Sequence, residues 1–342
     1  MMLYKVASIM RYLLTLLLTS TTLFVSTTYS IRAATDDAMW QTLQKAAVAA
    51  HALSYQGIFV YQTGQQSKSV QITHFFNGSG EFARNVVLDG TPREVFSQGH
   101  DLVIFNPKDE KVVIEKRRGQ NMFPAILPTN LDSVKTSYTL RAGESERVAG
   151  RGTQIFFLDP KDNLRFGYKF WIDTEYGLLL KSVMLNTRNE MMDSIGFSQI
   201  GLLNSVDLDW FQPKIDSKKN YVMEDEVVTI TDNSVSTTWA IKNLPAGYHK
   251  VDQMIRMVHG KSVAVTHVIF SDGLSSVSLF IEPISKLLTK PQVKNAKPKF
   301  GHGVVGNTSF YSSMNENYQI TAVGEVPEAT VAQIANSVTF KK

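Results

Sequence analysis

The sequence predicts an α+β protein: a large antiparallel sheet, with helices on its inner face, followed by a smaller unit of sheet and helix. Three observations predict it. Apolar and polar residues alternate with a period of two from Tyr55 to about Gln199, broken by short turns. The pattern then weakens across a polar, charged stretch at residues 207–226. A second set of alternating runs begins at Trp239 and closes on apolar residues at helical spacing, Val331, Ile334, Ala335 and Val338. With 342 residues, 43% apolar and 19% charged, the chain can bury a core in each of two domains.

The first element is a helix. Thr35-Asp36-Asp37 can cap it, and Trp40, Leu43, Ala47 and Ala50 recur at helical spacing up to Leu53. The strands follow. Tyr55, Gly57, Phe59 and Tyr61 alternate with Gln56, Ile58, Val60 and Gln62. Val70, Ile72, His74 and Phe76 lead into the turn Asn77-Gly78-Ser79-Gly80, and Phe82–Leu88 closes at Asp89-Gly90. Further runs are Leu102–Phe105, Val112–Glu115, Thr153–Leu158, Leu164–Ile172, Leu178–Asn186 and Ile195–Gln199. Many strands at hairpin spacing argue for one large antiparallel sheet, which twist and a helix-covered face curl around an apolar interior.

Lys116–Val134 interrupts this sheet. It is long, irregular and apolar, so it must fold over a core or cover a pocket. Met122, Phe123, Ile126 and Leu127 are its candidate cavity or cover residues. Lys116, Arg117 and Arg118 precede them. This basic cluster reads either as a solvated strand end or as a contact for an anionic group on a peptide or lipid phosphate.

The predicted organisation is a signal peptide at 1–34, a first domain at 35–212, a linker at 213–228 and a second domain at 229–342. In the second domain Val263, Val265, His267 and Ile269 alternate before Ser271-Asp272-Gly273. Val277, Leu279 and Ile281 then return, the strongest hairpin signal in the chain. Lys286–Lys299 is a Lys- and Pro-rich loop, Gly301-His302-Gly303 reads as a flexible loop, and Tyr318–Val323 is a last strand.

The N-terminus sets the compartment. Lys5 and Arg11 precede an apolar stretch over Leu13–Leu18, Leu23, Phe24 and Val25, and small residues follow from Thr27 to Ala34. This reads as an export signal cleaved between Ser30 and Ala34, with an uncleaved N-terminal anchor as the alternative. The chain has no cysteine, which excludes lipidation at a lipobox, thiol catalysis and cysteine-ligated zinc.

Motifs for catalysis are missing. The sequence holds no nucleophile elbow, HExxH helix, P-loop or EF-hand loop. The seven His are scattered, with His74 and His267 inside strands, and the acidic residues Asp89, Asp159, Asp173 and Glu175 fall at turns that Asp stabilises. The net charge of +4 is too small for a nucleic-acid-binding face. A binding protein with no enzyme activity, no cofactor and no metal is expected.

Several runs resemble one family in order. Leu88-Asp89-Gly90-Thr91-Pro92-Arg93-Glu94-Val95 and Trp171-Ile172-Asp173-Thr174-Glu175 are similar to the large domain of RseB/MucB proteins. Trp239 with Leu244-Pro245-Ala246-Gly247-Tyr248, Phe270-Ser271-Asp272-Gly273-Leu274, and Ala322-Val323-Gly324-Glu325-Val326-Pro327 are similar to their small domain. The resemblance implies a LolA/LolB-like half-barrel lined with apolar side chains, a linker and a smaller α/β domain. It implies a periplasmic regulator that binds the periplasmic part of a membrane anti-sigma factor (RseA/MucA-like) and protects it from regulated proteolysis. Lipopolysaccharide or mislocalised lipoprotein acyl chains would release it. The alternative is a carrier of lipid or lipoprotein, and a homo-oligomer is left open.

Overall fold

The protein was analysed as a computed structural model, which describes residues 36–99, 101–108, 110–116, 121–215, 221–225, 239–257, 264–284 and 301–340. Helix α1 spans residues 36–52, as the spacing of Trp40, Leu43, Ala47 and Ala50 predicts, with Ala46, Ala47 and Ala50 buried. The large sheet follows as β1 (Tyr55–Thr63), β2 (Gln66–Phe76), β3 (Glu81–Val87), β4 (Glu94–Gln98), β5 (Asp101–Asn106) and β6 (Lys111–Lys116). After a connector and the short helix α2 (Asp132–Ser137) come β7 (Tyr138–Val148), β8 (Arg151–Pro160), β9 (Gly167–Asp173), β10 (Leu179–Leu185) and β11 (Met191–Leu202).

These strands, with β12 (Val222–Asp225), lie in the order β12-β6-β5-β4-β3-β2-β1-β11-β10-β9-β8-β7. All neighbours are antiparallel except β12 on β6. β7 and β11 touch although three strands lie between them, so the sheet curls at this end. Tyr55, Gly57 and Phe59 of β1 face the buried side while Gln56, Ile58 and Val60 are more exposed, the alternation read in the sequence. Gly57 is required by packing. A Cβ there would lie 2.4 Å from the Gln199 carbonyl oxygen and 3.0 Å from the Phe197 ring, so glycine lets that ring lie across β1.

The small unit is a six-stranded sheet in the order β14-β15-β16-β19-β18-β17, with β14 (His249–Met257), β15 (Ala264–Ser271), β16 (Ser276–Pro283), β17 (Gly301–Val305), β18 (Thr308–Asn315) and β19 (Tyr318–Gly324). Helix α3 (Glu328–Asn336) packs on it, and β13 (Trp239–Ile241) pairs with β20 (Val338–Phe340). Phe270, Leu279, Ile281, Ile320, Val331 and Ile334 belong to one apolar core made only of small-domain residues.

The structure differs from the sequence expectations in several places, among them strands β4, β14 and β18 and helix α2, for which no element was expected. Gly301-His302-Gly303 opens strand β17 rather than a flexible loop; both of its faces are largely exposed, so it shows no period-two contrast. Val338 leaves the C-terminal helix and starts β20. Strand β7 was not expected: beyond Leu140 it is exposed and charged, and a bulge between Ala142 and Ser145 breaks its period. Within the expected linker 213–228, residues 222–225 pair with β6, a strand too short to carry a readable period. The expected signal peptide lies outside the described residues.

Candidate functional site

The connector at residues 121–131 reaches the buried face of the sheet. The Phe123 ring sits 5.2 Å from that of Phe59 and 4.9 Å from that of Phe197, and Phe197 makes an edge contact with Tyr55 at 6.4 Å. Leu127 is 1% exposed, and Met122 and Ile126 are half-buried. The Asn121 side-chain amide donates to the Ile126 carbonyl at 3.1 Å, and the Gln44 amide of α1 donates to the Thr129 carbonyl at 2.6 Å. Phe123 therefore lies on the aromatic face, while the segment closes on itself between Asn121 and Ile126 and is tied to α1 through Thr129. At one end of β1, β2 and β11 an open groove of about 300 Å³ is lined by Gln56, Ile58, Gln71, Gln199, Ile200 and Leu202.

The expected basic cluster is only partly placed. Lys116 ends β6 opposite Asp101, whereas Arg117, Arg118 and the Lys286–Lys299 stretch lie outside the described residues.

A buried polar cluster ties the end of α1 to β2 and β3. His74 is 3% exposed and stacks on Tyr55 at 4.7 Å. Its Nδ1 donates to the Leu53 carbonyl at 2.8 Å and its Nε2 meets Glu81 Oε1 at 3.0 Å, while His51 Nδ1 meets Glu81 Oε2 at 3.0 Å. Burial pushes the Glu81 carboxyl up, but hydrogen bonds and charge from His51 and His74 outweigh it and hold the group well below the ordinary carboxylate range.

The second cluster joins the two sheets. Arg165 follows the turn after β8, and its guanidinium donates to Asp272 at 2.9 Å, to both oxygens of Asp162 at 3.0 Å and to the Ala246 carbonyl at 2.7 Å. The Arg165 and Asp272 side chains are both 0% exposed. The Tyr168 hydroxyl and Ser275 Oγ are 3.0 Å apart, and Thr330 Oγ1 donates to the Leu164 carbonyl at 2.5 Å. Gly247 and Gly273 both have positive φ and turn their backbones onto α2: a Cβ on Gly247 would lie 2.2 Å from Ser137 Oγ, and one on Gly273 3.0 Å from Ser133 Oγ. Asp272 accepts from the Leu274 and Ser275 N–H groups, the Asx turn that its Asp-Gly sequence predicts.

A third contact lies at the far end of β17. Asn307 Nδ2 donates to Thr63 Oγ1 at 3.4 Å and to Asp193 Oδ2 at 3.3 Å. Burial, reinforced by the charge of Glu325, pushes the Asp193 carboxyl up to about 6.

The remaining sequence motifs are turn-builders. Asp89 accepts from the Ser69 N–H at 2.6 Å, and Glu94 takes two hydrogen bonds from Arg84, whose guanidinium lies 4.3 Å from the Trp210 ring. Asp173 accepts from the Glu175 and Tyr176 N–H groups and pairs with Arg151. Arg165 itself escaped the sequence reading. A lone Arg beside an Asp-Asn turn looks solvated, and only its pairing with a distant Asp-Gly turn marks it.

Residues 38–215 match the MucB/RseB N-terminal domain and residues 233–339 match the MucB/RseB C-terminal domain. The chain is 24% identical over 319 residues to the "Sigma-E factor regulatory protein RseB" of Haemophilus influenzae, covering 91% of this chain and 94% of that one. It is 27% identical over 309 residues to the "Sigma factor AlgU regulatory protein MucB" of Pseudomonas aeruginosa, covering 89% and 91%. A crystal structure of MucB in complex with MucA(peri) matches with a TM-score of 0.67 at 23% identity, over 88% of this chain and 98% of that one.

Proposed function

The chain belongs to the MucB/RseB family, and from that premise we propose that it is a negative regulator acting by binding alone. It engages the periplasmic segment of a membrane anti-sigma factor of the RseA/MucA kind, shields that segment from regulated proteolysis and so keeps an envelope-stress sigma factor inactive. The observation that carries this reading is that both family domains match, in order, on one chain. Its relatives are named as sigma-factor regulators, and a structure of one is described as MucB in complex with MucA(peri). Residues 1–34 act as the export signal, and the mature chain works in the periplasm.

Release follows from linkage. A ligand that prefers the free regulator shifts it off its partner by no more than its differential affinity. Acyl chains of lipopolysaccharide or mislocalised lipoprotein suit the aromatic face that Phe123 covers, and would displace this ring to reach it. A lipid carrier would use the same face but leaves the second domain without a task.

The test is retention of the anti-sigma periplasmic segment by the purified mature chain, together with slower cleavage of that segment by its protease. A chain that does not retain the segment overturns the reading. Lipopolysaccharide added across a titration should release it; indifference would overturn the trigger alone.

A further inference from the structure

The edges of the two larger sheets are not equally protected. An unpaired strand edge offers a row of N–H and C=O groups to another chain, and folded proteins blunt it with charge, bulges or brevity. Strand β7 has a bulge and exposes Arg141, Glu144 and Glu146; β14 has a bulge between Lys250 and Asp252 and carries both charges; β12 is four residues long. Strand β17 differs. Gly301-His302-Gly303-Val304-Val305 holds no Lys, Arg, Asp or Glu and pairs with β18 without a register shift. Val304 is 50% exposed and Val305 is 72% exposed, the most exposed large apolar side chain among the described residues.

The surroundings of this edge select its occupant. Helix α3 packs on β17, and the turn that ends it is pinned to Thr63 and Asp193 of the large sheet. Asp193 and Glu325 stand at the same end: Val305 pairs with Thr308, and Glu325 follows Gly324, the partner of Ser309. Neither carboxylate is ion-paired among the described residues, and the charge of Glu325 bears on Asp193.

We infer that β17 accepts an extended segment of a partner protein as an added strand, with a Lys or Arg of that segment meeting Asp193 and Glu325. Main-chain hydrogen bonds supply the pairing, and Val304 and Val305 supply apolar contact on the two faces. The inference rests on the regulator reading above and names the surface that the anti-sigma segment uses.

The experiment is hydrogen exchange and affinity measured on the mature chain with the anti-sigma periplasmic segment as probe. Binding should slow exchange at residues 301–305. Val304→Lys with Val305→Lys should weaken binding tenfold or more, while Val304→Thr with Val305→Thr, which keeps the strand, should bind within about threefold of wild type. Asp193→Asn should weaken binding severalfold at low salt and less at high salt. A wild-type chain that does not bind the segment overturns the regulator reading and this inference with it. A wild-type chain that binds while residues 301–305 exchange unchanged and the double Lys variant binds equally overturns the inference alone. So does protection of 301–305 that depends only on the protein's own concentration, which would identify a second copy as the occupant.

Discussion

Arg165 and Asp272 meet at 2.9 Å with neither side chain exposed, and this pair fastens the large sheet to the small domain. Two opposite charges removed from water gain little over an apolar pair, yet each is costly to leave alone. The joint is therefore specific in geometry rather than a large source of stability. Further hydrogen bonds cross between the two units at Tyr168 with Ser275, Thr330 with Leu164 and Asn307 with Asp193.

Arg165→Met leaves Asp272 buried without its cation and should cost about 3–5 kcal/mol in urea denaturation. Arg165→Met combined with Asp272→Leu should recover most of that loss. A single variant as stable as wild type would show that the pair does not hold the joint.

Asp193 makes stability depend on pH. The folded chain holds its proton up to about pH 6, whereas the ordinary value is 3.8. Its contribution is fullest below 3.8 and is lost as pH rises to about 6. Asp193→Asn keeps an acceptor for Asn307 and removes the charge, so above pH 6 it should stabilise by on the order of 1 kcal/mol, allowing for partial exposure. Thermal melts from pH 4 to 8 check the flattened profile.

Glu81 acts with the opposite sign. Its carboxyl is held below the ordinary value of 4.5, so its contribution is present above that pH and is lost as pH falls below it. Glu81→Gln should cost about 1.5–3 kcal/mol at neutral pH, the range for hydrogen bonds to a charged group. Denaturation of the variant should lose part of the acid sensitivity of wild type.

Phe123→Ala removes the ring that lies against Phe59 and Phe197. It should cost about 3–5 kcal/mol, as for other buried aromatic truncations. Opening the aromatic face should also raise the affinity for a fluorescent fatty-acid probe severalfold. Unchanged probe binding would argue that acyl chains do not use this face.

Replacing Lys116, Arg117 and Arg118 together by Ala tests the basic cluster. If it meets an anionic group, binding of the anti-sigma segment or of lipopolysaccharide weakens, more at low salt than at high salt. No change in either assay identifies a solvated strand end.

Much of the architecture was legible because it is written locally. The alternation of Tyr55, Gly57 and Phe59, and of Val265, His267 and Ile269, states which side of each strand is buried. Asp272-Gly273 states a turn. That the apolar connector with Phe123 and Leu127 needs a surface to bury against was legible, because so many large apolar side chains lie outside a strand; that Phe123 meets Phe59 and Phe197 was not. Strand β17 was illegible for the converse reason: exposed on both faces, it carries no contrast between alternate residues.

The sequence by itself determined a chain of two sheet-forming units without thiol chemistry, because periodicity and composition are properties of neighbouring residues. Only the tertiary structure decided that Arg165 is buried against Asp272, 107 residues away, and that β17, a strand with no Lys, Arg, Asp or Glu of its own and no bulge, lies at a sheet edge among the described residues. Strand order and long-range pairing depend on which surfaces meet when the chain closes on itself, and that information is spread over the whole chain rather than held in any one segment.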